Sequence, residues 1–149
     1  MIAYAKEFLC QVVNEVDELL ALHYDELTRN KDRVKLSPMW KEYAALEMDG
    51  KFHVFTARDD GALVGYAAFF VTQHLHYADL TTAMNDVLFL HPDHRQGMTG
   101  IRLLKYCESE LKKLGAQKLC WHAKLETSLI PILQRLGYAT EEVSMARFI

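Results

Sequence analysis

No stretch of the 149-residue chain approaches the ~20 consecutive apolar residues that cross a bilayer, and a run such as Ala67 to Val71 falls far short. The opening, Met1-Ile2-Ala3-Tyr4-Ala5-Lys6-Glu7, lacks the long apolar centre of a secretory leader and reads as an amphipathic lead-in. Cysteine is scarce. Cys10, Cys107 and Cys120 are odd in number and far apart, which excludes a disulfide framework and suits reduced thiols in a cytoplasm. Excess positive charge is missing as well. The 17 Lys and Arg stand against 20 Asp and Glu, for a formal charge of -3 and a pI near 6.1. No sequence-wide basic field therefore exists to hold nucleic acid or an anionic membrane. With 3 prolines, 7 glycines and no low-complexity tract, nothing marks a linker, so residues 1–149 read as a single domain. Apolar residues are plentiful at 50%, enough for the chain to hold its own core.

Periodicity divides the chain. Phe8, Val12, Val16, Leu19, Leu20, His23 and Leu27 recur at helical spacing, with Glu15, Asp17, Glu18 and Asp25 off the stripe. Ser37-Pro38 reads as the start of a second helix carrying Trp40, Tyr43, Ala44 and Leu46 and stopping at Asp49-Gly50. The period then falls to two. Phe52 to Ala57 and Ala62 to Val71 are strand-like, and Asp60-Gly61 between them suits a tight hairpin whose residues take positive φ. A polar loop from Gln73 to Thr82 is expected next, followed by a strand from Met84 to Leu90. Ile101, Leu104, Cys107, Leu111 and Leu114 mark a strong helix ended by Gly115. A strand over Lys118 to His122, a short helix from about Thr127 to Gly137, and a last strand over Glu142 to Ile149 complete the reading. The expected fold class is α/β, a central sheet flanked by helices.

The junction from Leu88 to Leu104 is the informative place. A strand running straight into a glycine-containing loop and a helix gathers unpaired N–H groups at the positive end of a helix dipole, where phosphate oxygens bind. Gly97 and Gly100 let the backbone approach a ligand, while Arg95 and Arg102 add positive charge. No Gly-Lys-Ser/Thr follows and no G-x-G-x-x-G occurs, so neither the Walker loop nor the dinucleotide fingerprint applies. An ordinary strand-to-helix connection is the competing reading of the same residues.

The string Val87-Leu88-Phe89-Leu90-His91-Pro92-Asp93-His94-Arg95-Gln96-Gly97-Met98-Thr99-Gly100-Ile101-Arg102-Leu103-Leu104 resembles the acetyl-CoA motif of the GNAT superfamily of N-acetyltransferases. Arg95 and Gly100 match in place. Met98 stands where the family usually has its first loop glycine, with Gly97 one residue early. Leu63-Val64-Gly65-Tyr66-Ala67 after the hairpin, and Leu133-Gln134-Arg135-Leu136-Gly137-Tyr138 near the end, resemble two further family motifs in the family's order. The stretch from His74 through Arg95 is also similar to short acetyltransferases encoded by bacteriophages, which would put the chain in a host cytoplasm. The resemblance implies a GNAT-like fold, a mixed and mostly antiparallel central sheet flanked by helices. It implies acetyl transfer from acetyl-CoA, without a metal, to a primary amine of a small molecule, peptide or protein lysine, and it suggests a homodimer.

On that resemblance, Leu88, Phe89 and Leu90 would offer main-chain groups to pantetheine. Gln96, Gly97, Met98, Thr99 and Gly100 would cradle the pyrophosphate, with Arg95 or Arg102 near a phosphate. A general base must take the amine's proton. Met84 occupies the strand position where some relatives carry glutamate and cannot serve, so Asp86, two residues on, is the first candidate. An end-of-strand carboxylate tied to a loop is its competing reading. His74 and His76, with Tyr77, come from the loop expected to border the acceptor, as bases, contacts or exposed loop histidines. The position of the family's general-acid tyrosine falls on Leu133, leaving that role empty.

Other readings stay open beside this one. His74 and His76, with His91, His94 or His122, could be offered to a metal, but no Cys-x-x-Cys or His-Glu-x-x-His accompanies them, and no metal is expected. Cys107 and Cys120 read as core, and Cys10 as half-buried. Of Trp40 and Tyr43, one is expected in the core and one against the acceptor. A protein of the same fold that binds an acyl-CoA or a partner without turnover is the rival class.

Overall fold

The computed structural model describes all 149 residues. Its five strands lie in the order β1-β2-β3-β4-β5: β1 Ile2–Glu7, β2 Phe52–Asp59, β3 Ala62–His74, β4 Tyr77–Leu90 and β5 Lys118–Cys120. The first four run antiparallel to their neighbours, and β5 alone is parallel to β4. Helices α1 (Leu9–Val12), α2 (Asp17–Leu27) and α3 (Trp40–Met48) separate β1 from β2. After β4 come a 3-10 turn at Pro92–His94, α4 (Thr99–Lys113), β5 and α5 (Leu129–Arg135). This is the mixed, mostly antiparallel sheet flanked by helices that the sequence leads one to expect. No helix is long and apolar enough to cross a membrane.

Two apolar layers sandwich the sheet. Phe55, Ala57, Ala67, Phe69 and Ala83 pack against Leu103, Cys107 and Leu111 of α4. On the opposite face Phe52, Val54, Tyr66, Ala68 and Phe89 meet Leu9, Val12, Val16 and Leu19 of the N-terminal helices. Strand β2 is consequently buried on both sides from Phe52 to Ala57. The β2–β3 turn shows why Asp60-Gly61 signals a hairpin: φ is +46° at Asp60 and +92° at Gly61, matching the twist of the strands that it joins.

Four expectations are corrected. The opening, expected only as an amphipathic lead-in to the first helix, is edge strand β1, whose Ile2 and Tyr4 pack onto the α4 layer while the N-terminal ammonium pairs with Asp59 and Asp60 at 2.9 and 2.7 Å. The first helix is interrupted between Val12 and Asp17. Arg58 of β2 draws Glu15 and Glu7 into one ion cluster across this bend, yet Val12, Val16 and Leu19 stay buried in one layer. The polar loop expected from Gln73 to Thr82 is hydrogen-bonded strand on both sides, with only Leu75-His76 turning the hairpin. The tail from Glu142 to Ile149 forms no strand: it makes no ladder pairing, although the outer edge of β5 is free, and an alternating pattern without a paired neighbour is not a strand. In addition, α3 starts at Trp40, two residues past Pro38, and Cys10 is exposed.

Candidate active site

The site grows from the way β4 loses its outer neighbour. β5 pairs with β4 only over Thr82–Met84, then diverges. At the parting, the amide of buried Asn85 bridges to both the N–H and the C=O of His122, fastening β5 at the fork. The next residue, Asp86, has no partner on β3: Ala68 opposes Val87 and Phe69 opposes Asn85, so Asp86 is the extra residue of a β-bulge. Beyond the bulge His91 donates its N–H to Val64 O at 2.8 Å. By antiparallel alternation, Val87 and Phe89 turn their main chains to β3, and Leu88 and Leu90 turn theirs to the open side. Leu90 O already accepts from Arg95 Nε at 2.8 Å, so Leu88 is the free station on that edge.

The edge leads to a concentration of N–H donors. The first intrahelical bond of α4 runs from Arg102 N–H to Met98 O at 2.8 Å. The six N–H groups from Gln96 to Ile101 have no main-chain or side-chain acceptor within the protein. They gather at the start of a 15-residue helix, on the positive end of its dipole. Gly97, at φ +69°, turns the chain into the helix. Met98 is half exposed. A Cβ on Gly100 would meet nothing nearer than Leu90 Cδ2 at 3.7 Å, so the surface above that amide is open. Arg102 lies exposed in the first turn. Arg95 does not reach outward: its Nη1 and Nη2 donate to both carboxylate oxygens of Glu26 at 2.7 Å each, and its guanidinium lies 5.1 Å from the Phe89 ring. That fork holds the Glu26 carboxyl below the usual glutamate range.

On the other face of the sheet a cavity of about 340 Å³ opens between α1–α3 and β2–β4. Asp86 is the one carboxylate on its wall, accepting a 2.6 Å hydrogen bond from Tyr43 Oη. Burial, reinforced by the adjacent carboxylate, pushes the Tyr43 phenol up, so it remains a donor. Nearby, His23 Nδ1 and Tyr66 Oη share a 2.7 Å bond, and the His23 ring stacks on Phe89 at 4.9 Å. Burial holds His23 below its usual value and raises Tyr66, so the pair stays neutral around pH 7.

The model of the acetyltransferase (GNAT) family matches residues 16–138, most of the chain. The chain belongs to that family. No curated protein matches it by sequence. Among solved structures it is similar to a ribosomal-protein-alanine N-acetyltransferase from Brucella melitensis biovar Abortus, with TM-score 0.72, 21% identity, 100% of this chain and 99% of that one covered. It is similar to a transcriptional regulator from Bacillus halodurans at TM-score 0.79 and 12% identity over 100% of both chains. A predicted acetyltransferase from Clostridium acetobutylicum, with acetyl-CoA, matches at TM-score 0.73 and 13% identity over 99% of this chain and 96% of that one. At such identities the likeness is one of fold.

For a GNAT chain the placement of the expected residues is uneven. Leu88, Gln96, Gly97, Met98, Thr99, Gly100 and Arg102 come together along one open edge and helix start. Leu90 joins them with its carbonyl engaged, Phe89 faces β3 and the cavity side, and Arg95 is committed to Glu26. Asp86 sits at the fork. His74 and His76 lie at the far tip of the β3–β4 hairpin, ten residues up the strand from Asp86, or about 30 Å. Their rings are 6.0 Å apart, and no third His, Cys or carboxylate completes a metal-binding group. Leu133 is buried in the core, 6% exposed, and Trp40 and Tyr43 both line the cavity. Sequence reasoning missed His23 and Asn85. A histidine on an otherwise apolar helix stripe was the available signal for the first; the second had none.

Proposed function

We propose that this GNAT chain moves an acetyl group from acetyl-CoA to a primary amine by direct attack of the amine on the thioester. The single observation that carries the reading is the coincidence at the β4 bulge. The Asp86 carboxylate faces the cavity, while the same strand continues, through an open edge, to six unpartnered N–H groups at α4. The residues present fit acetyl-CoA: Leu88 offers main-chain hydrogen bonds to an amide-bearing arm, and the α4 amides with Arg102 match a pyrophosphate in charge and geometry. Acetyl-CoA supplies the activated acetyl group, and everything else is the work of this chain.

An amine in the cavity reaches Asp86 as ammonium, held by Oδ1, the carboxylate oxygen that Tyr43 leaves free. Asp86, directly or through a water, takes the proton as the nitrogen attacks. A free N–H on the open edge of β4 stabilises the negative charge that develops on the carbonyl oxygen. With Leu133 in place of an acidic side chain on α5, the thiolate leaves unassisted, which its pKa of about 8.5 permits. Thiol release measured across a panel of amines tests the reading. Asp86→Asn is expected to lower kcat by about 10²–10⁴-fold, the usual span for general-base loss, with the KM for acetyl-CoA within twofold of the parent. An unchanged kcat would remove Asp86 as base, and failure to bind acetyl-CoA in calorimetry would remove the whole proposal.

A further inference from the structure

The acceptor's chemistry is written in the cavity beside Asp86, and the argument rests on the amine acetyltransferase reading above. The walls are aliphatic and aromatic, with Val12, Val16, Leu20, Trp40, Phe52 and Val54 among them. The polar side chains that reach this space are largely spent on one another or on main chain. Tyr24 Oη donates to Val34 O at 2.7 Å, and Lys35 Nζ donates to Lys31 O at 2.6 Å. His23 and Tyr66 are bonded to each other, and Tyr43 donates to Asp86. Two charges line the space: the Asp86 carboxylate on the sheet side and, on the exposed loop at the rim, the Lys35 ammonium.

Such a site answers a restricted set of ligands. One carboxylate balances one ammonium, and a second ammonium pushed against these walls would be desolvated without a partner, which is costly. A sugar would leave most of its hydroxyls facing apolar surface, because only the Thr28 and Ser37 hydroxyls, toward the loop side, are not already bonded within the protein. A phosphate would be repelled by the Asp86 carboxylate, and the one ammonium on the lining, Lys35, stands on the exposed rim and already gives one hydrogen bond to its own loop. The volume, about 340 Å³, lies at the small end of ligand pockets. We infer that the acceptor is a small monoamine with an apolar or aromatic body, its nitrogen at Asp86 and its body against the aromatic wall.

The test is thiol release from acetyl-CoA with butylamine, hexylamine, octylamine and phenethylamine, against 1,6-diaminohexane, spermidine, glucosamine 6-phosphate and a lysine-containing peptide. In the alkylamine series kcat/KM is expected to rise about fourfold per added methylene until the cavity is full, the factor set by burying one CH₂. Hexylamine should exceed 1,6-diaminohexane by at least about tenfold, because the diamine buries a second charge. Equal or faster turnover of the diamine, spermidine, the sugar phosphate or the peptide overturns the inference and leaves acetyl transfer standing. Thiol release with none of the amines overturns both. A rim variant provides a second reading: Leu36→Asp, at a position 45% exposed on the cavity wall, adds a carboxylate with little risk to folding. It is expected to move the preference toward the diamine by about two- to fivefold. An unmoved ratio would show that the acceptor does not occupy this cavity.

Discussion

The two halves of the site are made of different material. The α4 end is built from main chain: N–H groups of Gln96 to Ile101 and the open edge at Leu88, whose direction depends on backbone conformation and hardly on side-chain identity. The cavity end is built from side chains that α2, α3, β3 and β4 bring from distant parts of the chain: His23, Tyr43, Tyr66 and Asp86. A main-chain site tolerates a departure such as Met98, since any residue except proline carries an N–H. A side-chain site changes its ligand with a single substitution. On the function proposed above, the first half would hold the shared co-substrate and the second the acceptor.

Substitutions can break this contrast. Gly100→Trp should have the largest effect. Its Cβ is accommodated, so the fold stays cooperative. The indole covers the α4 amides, and acetyl-CoA affinity is expected to fall about a hundredfold in calorimetry, equivalent to losing one or two charge-assisted hydrogen bonds. An unchanged affinity would show that the amides are not the anchor. Asn85→Ala strands the N–H and C=O of His122 at the fork; we expect a loss of about 1–3 kcal/mol in urea unfolding, together with a raised KM for acetyl-CoA.

The two arginines sharpen it further. Arg102→Ala should weaken acetyl-CoA about tenfold, as for a lost charge-assisted contact. Arg95→Gln should mainly cost stability, about 0.5–1 kcal/mol because the Glu26 pair is partly solvent-screened, and Glu26→Gln should reproduce it. If Arg95→Gln loosened acetyl-CoA and Glu26→Gln did not, Arg95 would be a phosphate ligand after all.

The smallest effect concerns acid. Burial holds His23 and His53 below their ordinary value of 6.5, so below that pH the unfolded chain takes up protons that the folded chain resists. Their contribution is complete above pH 6.5 and is lost as pH falls toward the folded values. Urea unfolding at pH 7.5 and 5.5 should show the decline, and His23→Gln should flatten part of it.

How much could be read beforehand follows the range of the interactions. The Asp60-Gly61 turn and the α4 stripe of Leu104, Cys107 and Leu111 were legible because each is decided within a few residues. The unpartnered amides were legible as well, since a strand that enters a helix through glycine exposes them whatever surrounds it. The break in the first helix was not, because Arg58, more than forty residues away, draws Glu15 down. The tail from Glu142 misled through its alternation: Val143 and Met145 keep the pattern but remain exposed.

By itself the sequence determined the α/β class, the family motif and the junction of strand, glycine-containing loop and helix with its unpaired amides, all properties of contiguous residues whose backbone preferences are local. Tertiary structure alone decided that Asp86 occupies a bulge under Tyr43, that Arg95 is held by Glu26, and that His74 and His76 stand far from the fork. Those outcomes depend on which distant side chains meet when the two apolar layers close on the sheet, and a spacing along the chain carries no record of that meeting.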